Sequence, residues 1–196
     1  MQSKVIKLAS ILKYQGLFSG YSFRGKINHN KNGNTRVVQL KDFQDNYSVI
    51  GDNCILIDGA KIKEKYHLED GDILFISKGA NNFSVVFNNN KDEIPTIASS
   101  SLFVIRVDRK FAIPKYISWY INQKKVQNHL KLNLMGTYVP NINKPTVEKI
   151  PIELPSLEVQ QKIATIADLN NKEQKLYHQI IKLRNHLTQQ QLLKTI

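Results

Sequence analysis

The rhythm of apolar residues changes along the chain, and each change predicts a different element. In "KVIKLASILKYQG" Val5, Leu8, Ile11 and Leu12 fall at near-helical spacing, which predicts a short amphipathic turn on the core, stopped by Gly16. "GYSFRGKINHNKNGNTRVVQL" is rich in glycine and asparagine and predicts a loop between short strands, with Asn32-Gly33 as its turn signal. "NCILIDGAKI" and "GDILFISKG" are aliphatic runs bounded by glycine, the mark of buried strands, and "FSVVF" and "PTIASSSLFVIRVD" each add one more. At Ile113-Pro114 the period lengthens. "PKYISWYINQKKVQNHLKL" sets Tyr116, Trp119, Tyr120 and Val126 on one side of a single helix and lysines on the other. Prolines and asparagines in "GTYVPNINKPTVEKIPIELP" predict a linker with a short strand from Ile150 to Leu154, and Pro151 and Pro155 make it an extended, stiff exit.

Ser156 is placed to cap a long helix with its hydroxyl. In that helix Ile166, Glu173, Ile180 and Leu187 recur every seven residues, interleaved with Leu169, Leu176, Leu183 and Gln190, and six of these eight positions are aliphatic. So narrow a stripe suits a partner helix better than a broad core face. From Ser156 to Lys194 the helix would span roughly 58 Å, too long for one compact globule to cover. Asn170-Asn171 is the expected kink or break, asparagine being a poor helix former.

Composition adds a partner to this outline. The 196 residues are 41% hydrophobic and 22% charged, enough for one core and an appendage. The net charge of +12 favours a polyanion, nucleic acid above all, and Met1 to Lys41 holds eight lysines or arginines before the first acid, Asp42. A single cysteine, Cys54, excludes an internal disulfide and a multi-cysteine zinc site. No apolar run approaches the roughly 18 residues of a membrane span, and "MQSKVIKLAS" lacks a long apolar signal core, so no membrane partner and a cytoplasmic location are expected.

Catalytic patterns are missing. His29, His67, His129, His178 and His186 form no tight metal spacing, and neither GxxxxGK[ST] nor GxGxxG occurs. "NINKP" does not match the polar-Pro-Pro-aromatic motif of an amino-methyltransferase. Around Asp58 the acids fail a nuclease pattern, because Glu64 and Lys65 are adjacent and would point to opposite faces of a strand. "ASSSL" is no nucleophile elbow. By elimination the chain reads as a binding module, neither an enzyme nor a metal protein.

The order "GDILFISKG", "ASSSLFVIRVD", "IPKYISWYINQ", "GTYVPNINKPTVEKIPIELPSLEVQQKIA", then a long helix, resembles the DNA specificity (S) subunits of type I restriction-modification systems. The resemblance covers about residues 70 to 190 and is most specific from Ile150 to Ala164. It implies an α+β (α/β) target recognition domain, residues 1–153, followed by a long C-terminal spacer helix, residues 154–196, forming a coiled coil on dimerisation. A usual S subunit carries two such pairs in one chain. This sequence has one and resembles half a subunit, so a homodimer reading an interrupted palindrome in double-stranded DNA is expected, through Ile166, Leu169, Leu176, Ile180, Leu183 and Leu187. The resemblance also implies partner methyltransferase (modification) subunits using S-adenosylmethionine to methylate adenine N6, and a restriction (nuclease-translocase) subunit using ATP and magnesium, with no cofactor in this chain. The alternative is a stand-alone dimeric DNA-binding protein or regulator derived from such a subunit.

Basic residues beside polar amides on loops are the candidate DNA readers, because phosphate contacts set register and base contacts set specificity. "SFRGKINHNKNGNTR" offers Arg24, Lys26, His29, Lys31 and Arg36 with Asn28; "SKGANNF" offers Lys78, Asn81 and Asn82; "GTYVPN" offers Thr137 and Tyr138.

Overall fold

The computed structural model describes residues 4–44, 49–51, 54–89, 94–136 and 140–194. In chain order the strands are β1 (Lys4–Lys7), β2 (Leu12–Ser19), β3 (Thr35–Val38), β4 (Phe43–Gln44), β5 (Val49–Ile50), β6 (Ile55–Ile57), β7 (Ile73–Ile76), β8 (Ser84–Val86), β9 (Thr96–Ala98) and β10 (Leu102–Val107). Helices α1 (Pro114–Ile121), α2 (Lys124–Leu132) and α3 (Lys144–Glu148) follow, then β11 (Pro151–Leu154) and α4 (Leu157–Leu193). No helix among the described residues is long and apolar enough to cross a membrane.

An antiparallel sheet in the order β2-β10-β7-β8 is the middle layer. Successive residues of a strand face opposite ways, and here both ways are dry. Ile73, Phe75, Phe103, Ile105 and Val107 pack against α1 and α2, with Ala164 of α4 in the same cluster. Leu74, Ile76, Leu102 and Val104 pack with Val38 and Ala98 toward the second sheet, β6-β3-β9, in which β3 runs parallel to β9 and antiparallel to β6. A strand buried on both faces has no polar alternation to show, which is why "ILFI" and "LFVI" read as unbroken apolar runs.

Several sequence expectations change in the fold. The N-terminal segment is β1, a tight 3-10 turn at Leu8–Ile11 and β2, with Leu8 and Ile11 buried in the core. Gly16 does not stop this segment. It lies inside β2 beside Gln15, whose φ of 53° marks a bulge, and a Cβ at Gly16 would sit 2.4 Å from the Arg106 carbonyl oxygen. "PTIASSSLFVIRVD" forms two strands in two sheets, turning at Ser99–Ser101. The helix expected over 114–132 is broken at Asn122 and Gln123. Asn122 accepts from the Ser84 N–H (2.8 Å) and donates to the Ser84 carbonyl (2.8 Å), taking a strand partner's place at the edge of β8.

The expected linker is folded too. Asn143 caps α3 by accepting from Thr146 N–H at 2.9 Å, and β11 pairs antiparallel with β1 from Lys4↔Leu154 to Lys7↔Pro151, so the exit is clamped to the start of the globule. Ser156 is the N-cap of α4, but its hydroxyl caps no amide. α4 runs unbroken through Asn170 and Asn171 for 37 residues: two weak helix formers do not stop a helix with this many good ones on either side.

Candidate nucleic-acid interface

Strand directions sort the loops onto two ends of the four-stranded sheet. At one end lie the close of β2 at Ser19, the start of β10 at Leu102, the close of β7 at Ile76 and the start of β8 at Ser84. The Ser99–Ser101 turn sits among them, with Tyr21 N–H donating to the Ala98 carbonyl (2.7 Å) on one side and Ser77 N–H to the Ser101 carbonyl (3.0 Å) on the other. The loops that carry Arg24 and Lys78 therefore leave the fold from the same end. Backbone bonds from Gly79 N–H to Pro140 O and from Ile142 N–H to Ser77 O, each 2.8 Å, lay a third segment, from 140 to 142, beside Lys78.

Arg24, Lys26, Asn28, Lys31, Lys78 and Asn81 are all exposed. Among the described residues, Arg24, Lys26, Lys31 and Lys78 make no ion pair. Their segment is held by its backbone and by short polar side chains. Asn30 N–H donates to the Leu56 carbonyl (2.8 Å), His29 Nδ1 accepts from Leu56 N–H (3.2 Å), and Asn34 accepts from Gly59 N–H (2.8 Å). His29 is thus exposed but has one ring nitrogen committed to β6. Gly33 has no positive φ; its role is close approach, since a Cβ there would lie 2.6 Å from the Ile57 backbone. Behind the loop, Phe23 and Ile27 join Tyr21 and Tyr66 on Val37, Ile57 and Ile97, and Tyr21 packs edge-on to Phe23 and Tyr66 at 4.9 and 5.2 Å between centroids. The result is a polar, basic rim on an aromatic footing.

Other expected readers are placed differently. Arg36 is half-buried in the middle strand β3, not on the loop. Asn82 is only 2% exposed, and its amide donates to the carbonyls of Ile76 (2.9 Å) and Gly79 (3.4 Å), so it braces its own turn and offers no edge to a base. Thr137 and Tyr138 lie outside the described residues.

At the opposite end of the sheet the charges are paired. Arg106 donates twice to Asp72 at 2.7 Å and lies 2.6 Å from Glu69, while Lys13 reaches Glu69 and Arg109 reaches Asp70, each at 3.5 Å. Asp72, through its hydrogen bonds, holds the Arg106 guanidinium pKa above its ordinary value. These groups line a cavity of about 320 Å³ with Gly71 and Pro114. Sequence inspection missed this network because its members are 34 to 56 residues apart.

α4 is rooted at this charged end. Gln160 and Ala164 are buried against the globule, and Lys115 of α1 pairs with Asp168. Among the described residues none after Ala164 is buried. Ile166, Leu169, Leu176, Ile180, Leu183 and Leu187 are 45–67% exposed, and Tyr177 and Ile181, absent from the heptad reading, widen the stripe. At 3.6 residues per turn the centre of the stripe lies roughly 160° around the helix from the Gln160–Ala164 face. A second helix can lie along the stripe without displacing the globule.

The family model for the type I restriction modification DNA specificity domain matches residues 2–184, which takes in both the globule and most of α4. The chain belongs to this family. Its fold is similar to that of the HsdS subunit from Thermoanaerobacter tengcongensis (TM-score 0.61, 18% identity, 88% of this chain and 43% of that one). It is also similar to the type-I restriction-modification system S subunit from M. genitalium (0.60, 13%, 93% and 45%). A third solved chain, from work on complex assembly and conformational transition of the type I R-M system, gives 0.64, 19%, 90% and 44%. The specificity domain described here spans less than half the length of each of these solved chains. No curated protein matches the sequence. Within the specificity domain, the stretch where the resemblance is most specific, Ile150 to Ala164, proves to be the junction of globule and helix: β11, the turn at Pro155 and the first turns of α4, which bury Gln160 and Ala164.

Proposed function

We propose that this specificity domain is a non-catalytic DNA-reading unit of a type I restriction-modification system, working as a two-fold dimer of the same chain. The observation that carries the reading is the solvent-exposed heptad stripe of α4 on a chain of this family. Two copies pairing along that stripe bury its aliphatic side chains and hold two identical globules apart, which matches an interrupted palindrome. In each globule Arg24, Lys26, Lys31 and Lys78 meet phosphates, while Asn28, His29 and Asn81 supply amide and imidazole edges at the same rim. Methyltransferase and restriction subunits assemble on the dimer and carry the chemistry, together with S-adenosylmethionine, ATP and magnesium.

The test is the mass in solution of the wild type and of Ile180→Asp/Leu183→Asp, which places two carboxylates in the middle of the stripe. The expected result is twice the 22.5 kDa chain mass for the wild type and a single chain mass for the variant. In parallel, the wild type should bind duplexes carrying two inverted half-sites far more tightly than duplexes carrying one. A wild type that is monomeric at every concentration and indifferent to the second half-site overturns the reading.

A further inference from the structure

We infer that Gln160 is a positioning residue that fixes the angle between globule and helix, and through it the distance between half-sites that the dimer accepts. The second part rests on the reading given under Proposed function; the first does not. Gln160 is 0% exposed, and in α4 only Ala164 is buried with it. A primary amide has two donors and a two-lone-pair acceptor, and here they reach three points on two turns. Gln160 Oε1 accepts from Ile113 N–H (2.9 Å), and Nε2 donates to the carbonyls of Phe111 (3.1 Å) and Pro155 (2.9 Å). Phe111 to Ile113 connect β10 to α1, and Pro155 connects β11 to α4. One side chain therefore ties the helix to the turn before α1 and to the turn from which α4 itself emerges.

The remaining contacts at the root are apolar packing of Ile163 and Ala164 on the core and one ion pair, none of which fixes a direction as a hydrogen-bonded amide does. Ala164, one turn on, has no side chain beyond Cβ and lets the helix approach α1 closely; Lys115–Asp168 lies outermost and is half in water. An exposed ion pair of this kind holds direction weakly. The amide is different, because tilting the helix would pull a fully buried side chain away from its three partners, at a cost above thermal energy for each polar group left unpaired.

Leverage makes the angle matter. The helix is rooted at one end of the four-stranded sheet and the basic loops leave from the other, so the reading end lies at least the length of β10 from the root, about 20 Å for a six-residue strand. A tilt of about 10° then moves the reading end by roughly 3.5 Å, one base-pair step. Two-fold symmetry repeats the displacement at the second globule, so the gap between half-sites changes by about two steps.

The inference is tested on the full chain in a Cys54→Ser background, with spin labels at Ala80→Cys on the reading loop and Gln189→Cys on the far part of α4. Labelled protein is diluted into an excess of unlabelled protein so that distances within one chain are read. With Gln160 in place, one narrow distance distribution is expected. Gln160→Met, near in volume but without hydrogen bonds, should broaden it or shift its mean by about 3 Å or more while helix content stays the same. If Gln160→Met does not fold, Gln160→Glu is read instead, since it keeps an acceptor for Ile113 N–H and loses both donors. An unchanged distribution in a folded variant overturns the inference, and so does a chain that neither substitution allows to fold, because Gln160 is then a folding residue.

The consequence for DNA is read separately, by selection from a pool of randomised duplexes. The dimer with Gln160 should return inverted half-sites at one separation; Gln160→Met should return the same half-sites spread over separations differing by one or two base pairs. Retention of the single separation by a variant whose distances have broadened overturns the link to spacing. If the chain with Gln160 returns no paired half-sites, the dimeric DNA-reading function fails, while the distance measurement still decides whether Gln160 sets the angle.

Discussion

The two ends of the central sheet carry the same residue types and use them differently. At the α1 end, Arg106, Lys13 and Arg109 each lie within 4 Å of an acid, and Asp72, 1% exposed, takes both hydrogen bonds of a forked guanidinium. At the far end Arg24, Lys26, Lys31 and Lys78 stand in water without an acid of the described fold beside them. Burial decides which use is possible. A charge taken out of water must be paired, so Arg106, with 20% of its side chain exposed, is committed to Asp72 and to holding β10 on the 69–72 turn, while Lys13 and Arg109 stay largely in water around that pair. A solvated charge costs little to leave unpaired and keeps its field for an incoming phosphate. Local sequence does not separate the two sets; only their neighbours in space do.

Removing the four solvated cations should have the largest effect on function. Arg24→Ala/Lys26→Ala/Lys31→Ala/Lys78→Ala should leave the urea midpoint nearly unchanged, as surface substitutions do, within about 0.5 kcal/mol. DNA affinity should fall at least on the order of a thousandfold at physiological salt, and the slope of log K against log salt should shrink by up to about 3.6 per globule, or about 7 for the dimer, if all four touch phosphates. A titration of affinity against salt checks both.

Asp72→Ala should do the opposite. It takes from Arg106 its buried partner, and the expected loss of unfolding free energy is about 3 kcal/mol, the low end of the range for a broken buried pair because Arg106 keeps Glu69 at 2.6 Å and 20% of its side chain exposed. In the folded fraction the salt slope of DNA binding should be that of the wild type. Urea melts and salt titrations on one preparation separate the two effects.

The smallest effect is expected at the junction of globule and helix. Lys125 hydrogen-bonds the Glu153 carboxylate and holds its pKa below the ordinary carboxylate value. Its stabilising share is present above the ordinary carboxylate range and is lost as pH falls through the lowered folded value. Glu153→Gln should therefore lower the urea midpoint slightly near neutrality and leave it unchanged in acid, so that the drop between the two shrinks by that small amount. Tyr116, whose phenol burial pushes up to about 12, donates to the Glu153 carbonyl and stays protonated throughout this range.

How much of this was legible depends on how far apart the interacting residues are. The heptads of α4 are a local property, and the stripe from Ile166 to Leu187 lies in water in the structure as its spacing implied. Strands β7, β8 and β10 and the start of α1 at Pro114 were legible for the same reason. Val5, Leu8 and Ile11 misled, because helical spacing over eight residues is equally compatible with a strand and a tight turn once Ile150 and β11 are there to pair with them. Asn122 gave no hint that it would end α1, since its partner Ser84 is 38 residues away. At the candidate interface the basic residues were legible as a composition. That Lys78 and Arg24 leave the same end of a sheet, that Asn82 is a buried brace and that Arg36 lies in a strand were not.

What the sequence determined by itself is therefore the periodic and the bulk: the long striped helix, the apolar strands, the excess positive charge and the motif at Ile150 to Ala164. Tertiary structure alone decided which charges are spent inside the fold and which remain available, and which of two glutamines in "EVQQ" is buried. It also set the direction in which the helix leaves. The physical reason is that periodicity and net charge follow from neighbours along the chain, whereas burial and pairing follow from neighbours across it, and a lysine or a glutamine has no fixed role until water has been either excluded from its side chain or left around it.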